Sequence, residues 1–309
     1  MKKAAFIFPG QGSQYVGMGK DFYDQFACSR EMIDLAEKVS GLDMKALLFE
    51  ENDKINITKY TQIAMLADEL AILRAVEERG FRSSVNAGLS LGEYAALVAS
   101  GVMTAEDAFR VIVKRGAYMQ EAVPTGGAMT AVMGMENAVI ERVCAETDGI
   151  VSVANYNCPG QTVITGEENA VAAAAAALKE AGARRCVPLN VSGPFHSDML
   201  REAGEKLAVV LADVEIRDIQ TPYITNVTAD YVTDKDQVRD LLQRQISSSV
   251  RWQQSVERMI ADGVEIFIEI GPKKSLTGFL KKIDKSVSAC HVDTVSDLDA
   301  LCKTLTSAE

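Results

Sequence analysis

The chain has 309 residues, a formal charge of −11 and an apolar fraction of 48%. That is enough apolar material for one large core carrying a smaller domain, and so acidic a balance excludes nucleic acid as a partner. No apolar run reaches the roughly 18 residues a membrane span needs, and the six cysteines show neither a C-x-x-C pair nor metal-ligand spacing, which fits a reduced, cytoplasmic setting rather than a disulfide framework or a metal centre.

Strand-like and helical segments alternate along the chain, the pattern of an α/β protein with a largely parallel sheet. The start, "MKKAAFIFPGQG", is basic and then apolar, but Pro9 and Gly10 break it. It reads as a first buried strand entering a turn, not as a signal peptide. "NITKYTQIAMLADELAILRAVEERG" holds a helix with Gly80 just past its end. Residues 84–87 form a short strand leading into Gly88-Leu89-Ser90-Leu91-Gly92, which reads G-x-S-x-G. "TAEDAFRVIVKRGAYMQEA" opens on Thr104 as N-cap, with acids in the first turn.

The texture then changes. "VPTGGAMTAVMGM" is a strand, "ENAVIERVCAETDG" a helix, "VSVANYN" and "QTVITG" two strands, "EENAVAAAAAALKEAG" a helix and "ARRCVPLNVSG" a fourth strand. That order, β-α-β-β-α-β, is the split ferredoxin-like pattern. Residues 125–189 are therefore expected to form a small inserted subdomain, and residues 1–124 and 190–309 the core around it. The alanine run from Ala172 to Ala177 is a strong helix former lying on a sheet. Beyond the insert the alternation resumes, and "IFIEIGPKKSLTGFLKKI" reads as buried strand, Gly-Pro turn and helix. Lys273, Lys274, Lys281, Lys282 and Lys285 stand here against Asp284 alone. Such a run is either a solvated helix face or a docking patch, and the spacing puts Lys274, Lys281 and Lys285 on one face.

A strand before Ser90 and a helix after it are what a nucleophile elbow requires. The glycines permit the tight turn, and the serine oxygen meets unpaired N–H groups at a helix start. The same residues also fit a glycine-rich turn with a capping serine. A serine nucleophile needs a base, and the chain has two histidines. His196, in the loop "NVSGPFHSDML" at the edge of the insert, is the better placed, because clefts form at such junctions. His291 lies beside a late strand. A tetrahedral oxyanion needs preorganised donors; the N–H groups of Leu91 and of Gln11 in "PGQGSQ" can supply them.

Taken together the motifs resemble those of the malonyl-CoA:acyl carrier protein transacylases, the acyltransferases of fatty-acid and polyketide synthesis. "FPGQGSQ", "GLSLGEYAALV", "KRGAYMQ", "NYNCPGQTVITG", "SGPFHS", "SSSVRW" and "EIGP" occur in the family order over essentially the whole length. The resemblance implies an α/β-hydrolase-like core with an inserted ferredoxin-like subdomain. It implies Ser90 as nucleophile, His196 as base, the main-chain carbonyl of Gln245 orienting that histidine, and Gln11 and Leu91 as the oxyanion hole. It makes Arg115 the partner of the malonyl carboxylate, although the helix pattern alone fits a surface arginine there. Phe195 resembles the malonyl-selective form of its loop, where a ring crowds an α-branch. The implied partners are malonyl-CoA and acyl carrier protein, with no metal or redox cofactor, in a discrete, monomeric enzyme. Leu89 stands where the family often has histidine, which bears on acyl packing, and Ser249 stands where it often has proline, which is expected to loosen the turn after Gln245. The competing readings are a serine hydrolase, with an acidic partner for its histidine, and a noncatalytic docking subunit, which needs neither Ser90 nor His196.

Overall fold

The computed structural model describes residues 2–191 and 193–306. Nine strands form among them: β1 (Lys3–Phe8), β2 (Val85–Gly88), β3 (Gly127–Met133), β4 (Val151–Cys158), β5 (Gln161–Glu167), β6 (Arg185–Pro188), β7 (Tyr223–Ile224), β8 (Val264–Ile270) and β9 (Ser288–Val292). Five of them make an all-parallel sheet in the order β7-β2-β1-β8-β9. Its inner strands are buried on both faces: Phe6, Ile7 and Phe8 of β1 and Phe267 and Ile270 of β8 are at most 2% exposed. The helix Thr58–Glu78 is buried along almost its whole length and serves as an interior wall.

The remaining four strands form an antiparallel sheet, β4-β5-β3-β6, with the helices Asn137–Glu146 and Glu168–Glu180 packed on it. This is the ferredoxin-like arrangement, and the architecture is an α/β-hydrolase-like core with a ferredoxin-like subdomain. In the alanine-rich helix Ala170, Ala174 and Leu178, four apart, are buried together with Val171. Small side chains there let the helix lie close to Val132, Val153 and Ile164. The last strand is shorter than "ARRCVPLNVSG" suggests. It ends at Pro188, which has no N–H to offer the ladder, and one further bond, Leu189 N to Met129 O at 2.9 Å, closes it.

The two sheets are joined through the segment after Gln245. Val250 donates to Ala154 O at 2.7 Å and accepts from Tyr156 N at 2.9 Å, extending β4 by a parallel bridge. Ser249 Oγ donates to Val153 O at 2.6 Å. The expected loosening at Ser249 is therefore not seen. The hydroxyl supplies a bond that proline cannot make.

Register decides where the turns emerge. Phe8 pairs with Gly88 at the carboxyl ends of β1 and β2, and Leu89 N donates to Phe8 O at 3.0 Å. The turn at Gly10 and Gln11 and the turn at Ser90 thus leave the sheet side by side, where ligands bind in open α/β sheets. No helix among the described residues is long and apolar enough to cross a membrane.

Candidate active site

β2 ends at Gly88 and the helix Gly92–Ala99 starts four residues on, so Ser90 sits in a sharp strand-to-helix turn. Its φ is +56°, in the left-handed region that L side chains avoid. Bonds from distant residues hold it there. Ser90 N donates to Asn226 Oδ1 at 2.6 Å, Asn226 Nδ2 donates to Gly88 O at 2.6 Å, and Gln245 Nε2 donates to Ser90 O at 2.9 Å. The motif glycines are required for lack of space: a Cβ at Gly88 would fall 2.0 Å from the Gly92 carbonyl, and one at Gly92 2.4 Å from Phe8 O. The serine is not spent as a cap. Its Oγ lies 2.7 Å from His196 Nε2 and accepts from Arg115 Nη2 at 3.1 Å.

His196 also has a positive φ, +61°. Four non-glycine residues among those described do so, Ser90, His196, Ala229 and Lys273, and the first two are in contact. Stored backbone strain thus concentrates here. The loop is braced by Ser197 Oγ donating to Pro194 O at 2.7 Å. Ser192, the first residue of that motif, lies outside the described residues. His196 Nδ1 is 2.9 Å from the main-chain carbonyl of Gln245. A carbonyl only accepts, so Nδ1 carries the hydrogen and Nε2 presents a lone pair to the Ser90 hydroxyl. Burial, and secondly the Arg115 cation, lowers the His196 pKa from 6.5 to about 4.

Arg115 is fully buried rather than a surface arginine. The helix Ala105–Ala122, capped by Thr104 Oγ accepting from Asp107 N, buries a stripe including Phe109, Ile112, Gly116 and Met119. Arg115 lies on that stripe. Its Nη1 donates to Gln62 Oε1 at 2.7 Å and its Nη2 to Gln245 Oε1 at 3.0 Å. Its guanidinium carbon is 5.5 Å from the Tyr94 ring centre.

These groups open into a pocket of about 280 Å³ lined also by Gln11, Leu89, Leu91 and Phe195. Gln11 is fixed by its side chain, which donates to Thr58 Oγ1 at 3.0 Å. Ser275 and Phe279, on the lysine-rich helix Ser275–Ile283, form part of the wall. All five lysines of that stretch are exposed, but Lys274 caps the helix and Lys285 lies beyond its end, so they do not share one helix face with Lys281. His291 is on β9, its Nε2 3.7 Å from Asp297 Oδ1, and takes no part in the pocket. Among the described residues no cluster of His, Cys, Asp or Glu could hold a metal ion. Sequence reasoning missed Gln62, Asn226, Glu93 and the side chain of Gln245. Gln62 could have been noticed as a polar residue inside an apolar helix, and Glu93 as an acid next to the motif glycine; Asn226 carries no local signal.

The fold and the contact between Ser90 and His196 suit acyl-group chemistry. The chain belongs to the acyl transferase domain family, whose model matches residues 5–298. It is 41% identical over 310 residues to the malonyl CoA-acyl carrier protein transacylase of Bacillus subtilis (strain 168), covering 99% of this chain and 98% of that one. The crystal structure of MCAT from Streptococcus pneumoniae superposes with a TM-score of 0.95 at 48% identity, covering 98% of this chain and 100% of that one. A malonyl-transacylase solved in complex with its type II PKS acyl-carrier protein matches with a TM-score of 0.95 at 41% identity, covering 98% and 99% of the two chains.

The depressed His196 pKa has a readable consequence. The folded state binds fewer protons there than the unfolded chain between about pH 4 and 6.5, so this contribution to stability is complete above 6.5 and is lost as pH falls toward 4. An NMR titration of the His196 ring should show a neutral imidazole down to about pH 4. A midpoint near 6.5 would mean that the ring is solvated.

Proposed function

We propose that the protein transfers a malonyl group from malonyl-CoA to the phosphopantetheine thiol of an acyl carrier protein, through a malonyl ester on Ser90. The observation that carries this reading is the fully buried Arg115 guanidinium 3.1 Å from the Ser90 oxygen. A planar, permanently charged fork suits a carboxylate. A simple ester hydrolase has no use for one at the acyl end.

His196 Nε2 takes the Ser90 proton as Oγ attacks the thioester carbonyl. The N–H groups of Gln11 and Leu91 hold the oxyanion. On collapse the C–S bond breaks, and the CoA sulfur leaves with the proton from His196. The carrier thiol then gives its proton to His196 and attacks the malonyl ester; the ester C–O bond breaks, His196 returns the proton to Ser90 Oγ, and malonyl remains on the carrier sulfur. A malonyl carboxylate paired with Arg115 also offsets the cation that depresses His196, so the base strengthens as its substrate arrives. Phe195 crowds any α-branch, and Leu89 packs beside the acyl group. The protein acts as a discrete cytoplasmic monomer supplying fatty-acid or polyketide synthesis. The hydrolase reading is disfavoured because the partner of His196 Nδ1 is a carbonyl, not a carboxylate.

Brief mixing with radiolabelled malonyl-CoA should leave about one label per chain, and Ser90→Ala should abolish it. Ser90→Ala and His196→Ala should each lower turnover by several orders of magnitude, the double variant being little worse than either. Multiplicative losses would remove the dyad. Arg115→Ala should cost malonyl-CoA about 2–5 kcal/mol of transition-state binding and acetyl-CoA little. Equal losses would make Arg115 structural.

Docking of an acidic carrier protein to so acidic a chain needs a local cationic surface. The exposed lysines around the helix Ser275–Ile283 supply one beside the pocket wall, and none is ion-paired with a described carboxylate. Lys281→Glu with Lys285→Glu should raise the apparent KM for carrier protein, most at low salt, and spare the malonyl-CoA half-reaction. Unchanged low-salt kinetics would shift docking elsewhere, with Arg184 and Arg185 the next cations to replace.

A further inference from the structure

Glu93 follows the motif glycine and is completely buried; its main-chain N donates to Ser90 O at 3.2 Å, but its carboxylate bonds to neither the Ser90 hydroxyl nor His196. Its Oε2 accepts from Gln245 Nε2 at 2.6 Å and from Asn226 N at 3.1 Å. Both neighbours lead to the nucleophile. Asn226 accepts from Ser90 N, and Gln245 Nε2 donates to Ser90 O. The other end of the Gln245 amide, Oε1, accepts from Arg115 Nη2.

A primary amide is polar in two senses, donor at one end and acceptor at the other. Here one end faces a group that can only donate, Arg115. The other faces a carboxylate, which accepts. A flipped amide would set NH2 against the guanidinium and the carbonyl against the carboxylate, two repulsive contacts in a dry interior. The Gln245 side chain thus has one orientation, and it presents its oxygen to Nη2, the nitrogen that also reaches Ser90 Oγ.

We infer that Glu93 is a positioning residue for acyl selection: its carboxylate orients the Gln245 amide, which in turn holds Arg115 where the acyl carboxylate must dock. Burial raises the Glu93 carboxyl above its ordinary value, while Gln245, Thr225, Asn226 and Arg115 pull it back. In either protonation state Oε2 can keep both of its bonds. What matters is an acceptor at that point, which a glutamine can also supply.

The inference rests on Arg115 as the carboxylate clamp, and the test separates the two. The readout is the ratio of kcat/KM for malonyl-CoA over acetyl-CoA, measured on folded, monodisperse protein. Glu93→Ala should lower that ratio about tenfold, and Glu93→Gln should restore it to within about threefold of the parent. Gln245→Met keeps the main-chain carbonyl under His196 but removes the amide, and should lower the ratio by a similar factor. It tests the relay even if Glu93→Ala does not fold. The double variant Glu93→Ala/Gln245→Met should match the worse single, since both break one chain. Equal losses on the two acyl groups, or a double variant at the product of the singles, would overturn the inference. Arg115→Ala runs beside them: a collapsed ratio there with an unchanged ratio in Glu93→Ala and Gln245→Met sinks only the Glu93 role. An unchanged ratio in Arg115→Ala sinks the clamp itself.

Discussion

A positive charge with no solvent around it organises the interior of this site. A buried guanidinium is costly unless its donors are satisfied and an opposite charge is near. Arg115 meets that demand at its two terminal nitrogens, with the side-chain oxygens of Gln62 and Gln245 and the Ser90 hydroxyl, and is helped by the face of Tyr94 and the field of Glu93; its Nε is left without a partner. Each partner is thereby drawn into one polar cluster inside an otherwise apolar wall. The same charge lowers the His196 pKa, second only to burial. In the proposed reaction, recognition and proton transfer therefore share one electrostatic source.

The cluster is held by backbone that could not hold itself. Ser90 and His196 both have left-handed φ values, and each is fixed by bonds from elsewhere in the fold. The parallel register of β1 and β2 supplies the rest. It brings Phe8 O so near Gly92 that no side chain fits between them. The elbow is thus set by the sheet edge as much as by its own five residues.

The second sheet gives the site its other wall. Met129, Val163 and Leu189 reach the pocket from that side, and Ser249 and Val250 lock it to the core through β4. That bridge begins four residues after Gln245. The segment that positions His196 and the one that joins the two sheets are therefore nearly the same piece of chain.

The periodic and local features of this chain were legible in its residues. The largely parallel core, the β-α-β-β-α-β insert, the Thr104 cap and the turn at Ser90 follow from alternation, from cap chemistry and from glycine spacing, which act over a few residues. Boundaries were less secure where one residue overrides the pattern, as Pro188 does in cutting its strand short. The lysines at 274, 281 and 285 share no helix face because the helix runs only from Ser275 to Ile283. Ser90 and His196 are 106 positions apart, and Ser90 and Gln245 are 155 apart. Their joining was suggested by the family motifs, not by any periodicity. Arg115 shows the division most clearly. Its place on a helix is written in the sequence, where the pattern alone fits a surface position, but that it faces a buried serine depends on how helices pack on a sheet. The relay from Glu93 through Gln245 to Arg115 exists only in the folded chain, because a hydrogen-bond network between distant segments is fixed by three-dimensional closure and leaves no spacing along the sequence.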